Sequence, residues 1–289
     1  MSRLLPAYAL LHPAAQLGWR DFSIHWSTVI GLAALQLLYE WRIRVHAAAS
    51  PGAAPGEAAG PSAAQRASLS GGLLVMFLTL NGPLHDLSDY YLFSAHMVQH
   101  LILALVVPPL LIFGTPGWML RPALRTQWVR ALASRVTGGR AAFVIFNVTV
   151  IVWHLPPLYN TAMAYHPVHI VQHLMFLVTA TIMWWPLMSP LPELPRLPYP
   201  GQLLYCFLMT IPMSIVAVSV TMADHVLYPA YSSAPRVWGL TPLNDQQLGG
   251  LIMWVPGGLF FLLVASVVFF KWSAAGSDDQ AGAQAEIVR

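Results

Sequence analysis

From Leu92 to Phe113 the chain runs through 22 residues without one Asp, Glu, Lys or Arg, and that run limits the folds open to it. A helix needs roughly 20 apolar residues to cross the hydrocarbon core of a bilayer. Within lipid there is no water to pair with backbone N–H and C=O groups, so the segment must satisfy them itself, as a helix does. Seven such runs can be drawn: Ile24 to Trp41, Leu69 to Leu84, Leu92 to Phe113, Ala141 to Trp153, His169 to Leu187, Gln202 to Thr221 and Leu248 to Phe270. The second and fourth are short. Ala141 to Trp153 reaches spanning length only by taking in Val136 to Gly139 or Leu155 to Tyr159. Composition agrees, with 57% of residues hydrophobic and 9% charged, against roughly a quarter charged in a soluble domain. The expected fold class is an all-α integral membrane protein, a seven-transmembrane-helix bundle.

The charges orient the bundle. Cytoplasmic loops carry the excess of Lys and Arg. With the N-terminus outside, eleven of the fourteen basic residues fall inside, and only Arg3, Arg20 and Arg236 stay outside. This orientation also requires one crossing between the Arg-rich stretch before Ala141 and the Arg-free stretch after His154. Residues 1–23 then form an outer segment and 24–272 the membrane domain. Ala47 to Gln65, rich in Ala, Gly and Pro, is a flexible inner linker, and 273–289 form an inner tail expected to lack regular structure. Pro6 and Pro13 interrupt the opening segment, so no cleaved signal peptide is expected. The scattered Arg form no basic patch with interleaved aromatics, so the partner they imply is the lipid bilayer and no nucleic acid. Cys206 is the single cysteine, which excludes an intrachain disulfide, CxxC redox chemistry and a c-type haem attachment.

The histidines are not scattered. On this map His25, His85, His96, His100, His154, His166, His169, His173 and His225 all fall at the outer ends of spans. Singly, a histidine at a helix end is ordinarily an interfacial residue. Nine at one depth call for another cause, and ionisable residues in spans tend to face the bundle interior and mark function. The hexapeptide pattern His-x-Val-Gln-His-Leu occurs twice, at His96 to Leu101 and at His169 to Leu174. A spacing of four stacks two imidazoles on one helical face. The third and fifth spans run in the same direction, so four imidazoles arrive at matching heights and, if those helices are neighbours, make a four-nitrogen site. Gln99 and Gln172 precede the second histidine of each pair, where an amide can fix a tautomer or tie helices together. The stretches Gly82 to Tyr91 and His154 to Pro167 read as short loops roofing the site, and Asp245 as an N-cap of the last span. Gly249 and Gly250 in that span permit close helix approach, and Pro108, Pro109 and Pro256 predict kinks.

Imidazole suits zinc, copper, iron and nickel alike. Met97, Met163, Met175, Met222 and Met253, in or near the outer half, lean the choice to copper, although Met is also ordinary core filler. Neither histidine pair has the HExxH of a zinc protease. Di-iron hydroxylase boxes resemble HPVHIVQH but face the cytoplasm, on the wrong side. A b-type haem held by facing histidines remains open.

The segments HMVQHLILALVVPPLL, WHLPPLYNTAMAYHPVHIVQHLMFLVTATIMWWPL and DQQLGGLIMWVPGG resemble the caa3-type CtaG family of bacterial cytochrome c oxidase assembly proteins, over most of the chain from about Phe22 to Trp272. The resemblance implies a multi-pass protein of the bacterial inner membrane that assists maturation of the oxidase copper centres, is not an enzyme, and meets oxidase subunits and a periplasmic copper donor. The paired cysteines of the single-span copper chaperone that shares the CtaG name are absent, which moves metal handling to His and Met. The expectation is that His96, His100, His169 and His173 hold copper, with His85 and His154 as further ligands or a relay. A haem b or metal-dependent membrane redox protein using the same histidines, and a metal-free assembly scaffold, are the alternatives.

Overall fold

A computed structural model describes residues 23–49 and 60–287, with side chains as far as residue 276. The described residues are helical with no strand: α1 (Trp26–Ala48), α2 (Ala63–Leu80), α3 (Pro83–Tyr90), α4 (Phe93–Leu101), a π-helical turn (Ile102–Val106) leading into α5 (Val107–Gly114), α6 (Gly117–Leu124), α7 (Gln127–Val136), α8 (Gly139–His154), α9 (Pro156–Ala164), α10 (His166–Met188), α11 (Tyr199–Thr221), a 3₁₀ turn (Pro229–Tyr231) and α12 (Pro242–Ile287).

Five stretches are long and apolar enough to cross a membrane: α2, α4 through α5, α10, α11 and the first part of α12. A sixth appears if α7 and α8, bent by 75° at their junction, count as one crossing. The chain is therefore a multi-pass membrane protein, with five or six candidate spans where seven were expected. The first run folds as α1, but Gln36, Glu40, Arg42 and Arg44 dilute its apolar length. The fourth is only α8; neither extension straightens it, because the chain bends sharply from α7 and Leu155 is extended (ψ 128°) before α9 begins. At its ends the presumed linker is helical. α1 reaches Ala48, and Ser62 starts α2 with a reciprocal cap, its hydroxyl accepting from the Gln65 N–H while the Gln65 side chain accepts from the Ser62 N–H. The rest of it, residues 50–59, and the outer segment as far as residue 22 lie outside the described residues. Helical backbone also continues from Ser273 to Ile287, where an unstructured tail was expected.

Proline chemistry shapes the third span. Pro108 and Pro109 lack the N–H groups that would close helical bonds to residues 104 and 105. The helix widens into a π turn just before them, and the Trp184 indole donates to the freed Ala104 carbonyl at 2.9 Å. Single π turns of this kind are frequent at functional sites. The turn begins two residues after His100.

The main core joins α4, α5, α8, α10, α11 and α12 through Met97, Ile112, Phe146, Trp153, Met183, Met209 and Phe261. α12 packs along α11 and against α4 with almost no clearance. A Cβ on Gly249 would sit 2.4 Å from the Phe93 ring, and one on Gly250 2.8 Å from the Thr221 nitrogen. Both glycines are where the sequence called for close helix approach.

Candidate metal centre

The two histidine-bearing helices are held by devices the sequence only half discloses. Leu92, which precedes α4, offers no side-chain cap. The first N–H groups of α4 donate instead to Asp245 of α12, Phe93 at 2.7 Å and Ser94 at 3.1 Å, and the Ser94 hydroxyl donates to the same carboxylate at 2.5 Å. Asp245 is thus a capping residue, as expected, but it caps α4. The start of its own helix is held by Thr241, whose hydroxyl accepts from the Asn244 N–H. The stretches expected as loops are short helices, α3 and α9, each with a proline in its first turn. Gly82, at φ 78°, makes the turn into α3 that other residues resist.

These supports bring the four imidazoles together. The rings of His96 and His169 stack with centroids 5.3 Å apart, His96 and His173 lie at 5.7 Å, and His100 and His173 at 5.2 Å. Within each pair the separations are 4.2 Å for His96 and His100 and 4.4 Å for His169 and His173. His96 is fully buried, and His100 and His169 are 5% exposed, so solvent water does not bathe the site. Ring nitrogens of His96, His100 and His173 lie within 4.8 Å of one another. An ion bonded at about 2 Å keeps its ligands within roughly 4 Å of each other, so side-chain movement of about 1 Å or less would close this set around one ion.

Hydrogen bonding distinguishes the six expected residues. Neither ring nitrogen of His96 or His100 has a partner, and the Ser88 backbone near His96 does not meet hydrogen-bond geometry. His173 Nδ1 is also bare, while its Nε2 meets His169 Nε2 at 2.7 Å. His154 lies beside His100, centroids 6.3 Å apart, with Nε2 buried and bare. His85 does not join the other five. It sits in α3, where Gln99 donates to its Nδ1 at 3.1 Å and its Nε2 meets His25 Nε2 at 2.8 Å. The tautomers follow. Gln99 Nε2 also donates to the Thr79 carbonyl at 2.8 Å, which sets its amide orientation. His85 Nδ1 must therefore accept, leaving Nε2–H to donate to His25. Gln99, expected to serve His100, serves His85 instead, and neither amide atom of the buried Gln172 has a partner.

Asp89 was not among the expected site residues. Its Oδ2 stands 3.5 Å from both His85 Nε2 and His169 Nδ1, and its carboxylate groups with His96 and His169 as a second ligand set within 4.8 Å. Burial pushes its carboxyl up to about 8 and the neighbouring His85 imidazole down to about 4. Its signal in the sequence is the spacing of four from His85, which places both on one face of α3. A cavity of about 200 Å³ beside this group is lined by His25, His85, His166, His169 and His173 together with Leu80, Leu103, Ile170, Leu174 and Leu177, and gives an approach to the cluster. It is smaller than the roughly 300–1,000 Å³ of sites that enclose drug-sized ligands.

The sequence pattern of the cytochrome c oxidase caa3 assembly factor family (Caa3_CtaG) matches residues 37–275. Uncharacterized proteins of Mycobacterium bovis and Mycobacterium tuberculosis are 29% identical over 198 residues, and one of Mycobacterium leprae is 25% identical over the same length. The aligned region is 63% of this chain and about 30% of each relative's length. No solved structure matches the chain.

Proposed function

The chain belongs to the family of cytochrome c oxidase caa3 assembly factors, and from that premise we propose that it accepts copper at the buried histidine cluster and passes it to oxidase subunits as their copper centres are built. The observation that carries this reading is the cluster of His96, His100 and His173, which bring ring nitrogens within 4.8 Å of one another and among which both nitrogens of His96 and His100 and Nδ1 of His173 are buried without a partner. A buried polar atom without a partner costs about 1–3 kcal/mol, and a metal ion bound to these imidazoles would offset that cost. Imidazole with nearby thioethers suits copper. Copper is the cargo in this scheme, so the chain needs no turnover and acts as a non-catalytic factor in the bacterial inner membrane. The excess of inner Arg turns the site to the periplasm, towards a periplasmic donor and the oxidase subunits. His25, His85, His166, His169 and His173 line the approach, and Asp89 stands 3.5 Å from His85 and His169.

Haem fits this geometry less well. Axial histidines bind iron from opposite faces of a macrocycle, whereas His96 and His169 stack directly on each other at 5.3 Å. The deciding experiment is metal analysis with a visible spectrum on detergent-purified protein, set beside the His100→Ala/His173→Ala double variant. Copper near one per chain, lost in the variant with no haem spectrum, supports the reading. Wild-type protein free of copper after loading leaves the metal-free scaffold in its place, and a Soret band replaces it with a haem protein.

A further inference from the structure

Behind His100 lies a second, smaller cavity, lined by methionines where the first is lined by histidines and leucines. Its volume is about 30 Å³, close to one water's share of liquid volume, about 30 Å³. Three methionines from three helices line it: Met97 of α4, Met213 of α11 and Met253 of α12. All three are buried, and Gly257 makes room for Met213, whose methyl would lie 2.4 Å from a Cβ there. The polar lining comes from His100 and His154, and Phe176 packs on the His100 ring at 4.5 Å.

His154 shows what this cavity is arranged for. Its Nδ1 lies 2.7 Å from the Val150 carbonyl, which can only accept, so the proton is on Nδ1 and Nε2 carries a bare lone pair. A backbone carbonyl that fixes the tautomer in this way is a common support for a metal-binding histidine. Nε2 is buried without a partner, as are both nitrogens of His100. Methionine serving as core filler explains the thioethers, but it leaves three buried nitrogens unsatisfied. The cavity wall holds no carboxylate, so a hard cation finds no oxygen ligands there.

We propose that His100, His154, Met97, Met213 and Met253 form a copper(I) position distinct from the all-imidazole set, so that copper moves inward from imidazole ligands to imidazole and thioether ligands. This rests on the copper reading above and adds to it the oxidation state and the soft ligands. Thioether sulfur and imidazole together select Cu(I), and His100, common to both sets, is the link between them.

The test uses the full chain, purified in detergent and loaded with Cu(I) under anaerobic conditions against a competing chelator, with Ag(I) titration as a second probe and Cu(II) titration as the control. X-ray absorption of the Cu(I)-loaded protein should show nitrogen and sulfur neighbours. The triple variant Met97→Leu/Met213→Leu/Met253→Leu keeps side-chain volume nearly constant. It should lose the sulfur neighbours and bind Cu(I) and Ag(I) at least about tenfold more weakly, with Cu(II) binding unchanged. Cu(I) with nitrogen neighbours alone in the unaltered protein, or a triple variant with full Cu(I) affinity, overturns the thioether position and leaves copper at the imidazoles. Failure of the unaltered protein to bind Cu(I) and Cu(II) alike overturns the copper reading itself. The spectrum of the unaltered protein decides the point even if the triple variant fails to fold.

Discussion

Asp245 and Asp89 are both carboxyl groups set against the histidine helices, and their surroundings give them opposite work. Asp245 accepts two backbone N–H groups and a hydroxyl at the head of α4. Loss of a helix cap costs about 0.5–2 kcal/mol, and Asp245→Ala should fall at the upper end because both orphaned N–H groups are buried. A lower thermal midpoint with weaker copper retention would bear this out, whereas unchanged stability would mean that the cap is not needed. Among the described donors, Asp89 accepts only the Ser88 hydroxyl, at 3.1 Å. Its carboxyl, at an ordinary 3.8 in an unfolded chain, is pushed up to about 8 by burial. Between those values the folded chain holds a proton that the unfolded chain has released, so stability falls as pH rises through that window. His85, pushed down from 6.5 to about 4, contributes the opposite slope below 6.5, which leaves the Asp89 effect clearest between 6.5 and 8. Thermal midpoints of metal-free protein should decline across that range and stay flatter in Asp89→Asn. An equal decline in both would assign the slope to other groups.

At the scale of the element, the π turn and the glycine contact join the Asp245 cap in fixing the position of α4. Trp184 supplies the donor that Pro108 cannot, so Trp184→Phe leaves the Ala104 carbonyl buried and unpaired, at a cost of about 1–3 kcal/mol. Gly249→Ala drives a methyl into the Phe93 ring and should cost about 1–3 kcal/mol as overpacking. Denaturation of the two variants in the same detergent gives both values, and a neutral Gly249→Ala would show that α4 can shift away from α12. Much at this scale was legible beforehand. The spacing of four within each histidine pair, the close approach at Gly249 and Gly250 and the disruption near Pro108 all follow from helix geometry and proline chemistry. Some of it was not. Asp245 caps a helix 151 residues away in the chain, and Gln99 turns to His85 although His100 is its neighbour. Both are contacts between segments, and no local pattern encodes them.

The whole molecule poses the question of sides. α11 separates exposed Glu193, paired with Arg121 at 3.0 Å, from exposed Asp224. If the site faces the periplasm, an impermeant maleimide added to spheroplasts should label Asp224→Cys and reach Glu193→Cys only after permeabilisation, the native Cys206 being buried. The reverse pattern would turn the copper site to the cytoplasm. Sequence alone determined that this chain lives in lipid, because uncharged runs of this length cannot be solvated. It also determined that two histidine pairs sit near helix ends, because spacing along a helix is a local property. Tertiary structure decided which imidazoles meet, that Asp89 stands among them and that Met213 lines one cavity with His100 and His154. Those outcomes depend on how helices far apart in the chain pack side by side, and packing is settled by the shapes of whole faces, which no single segment carries.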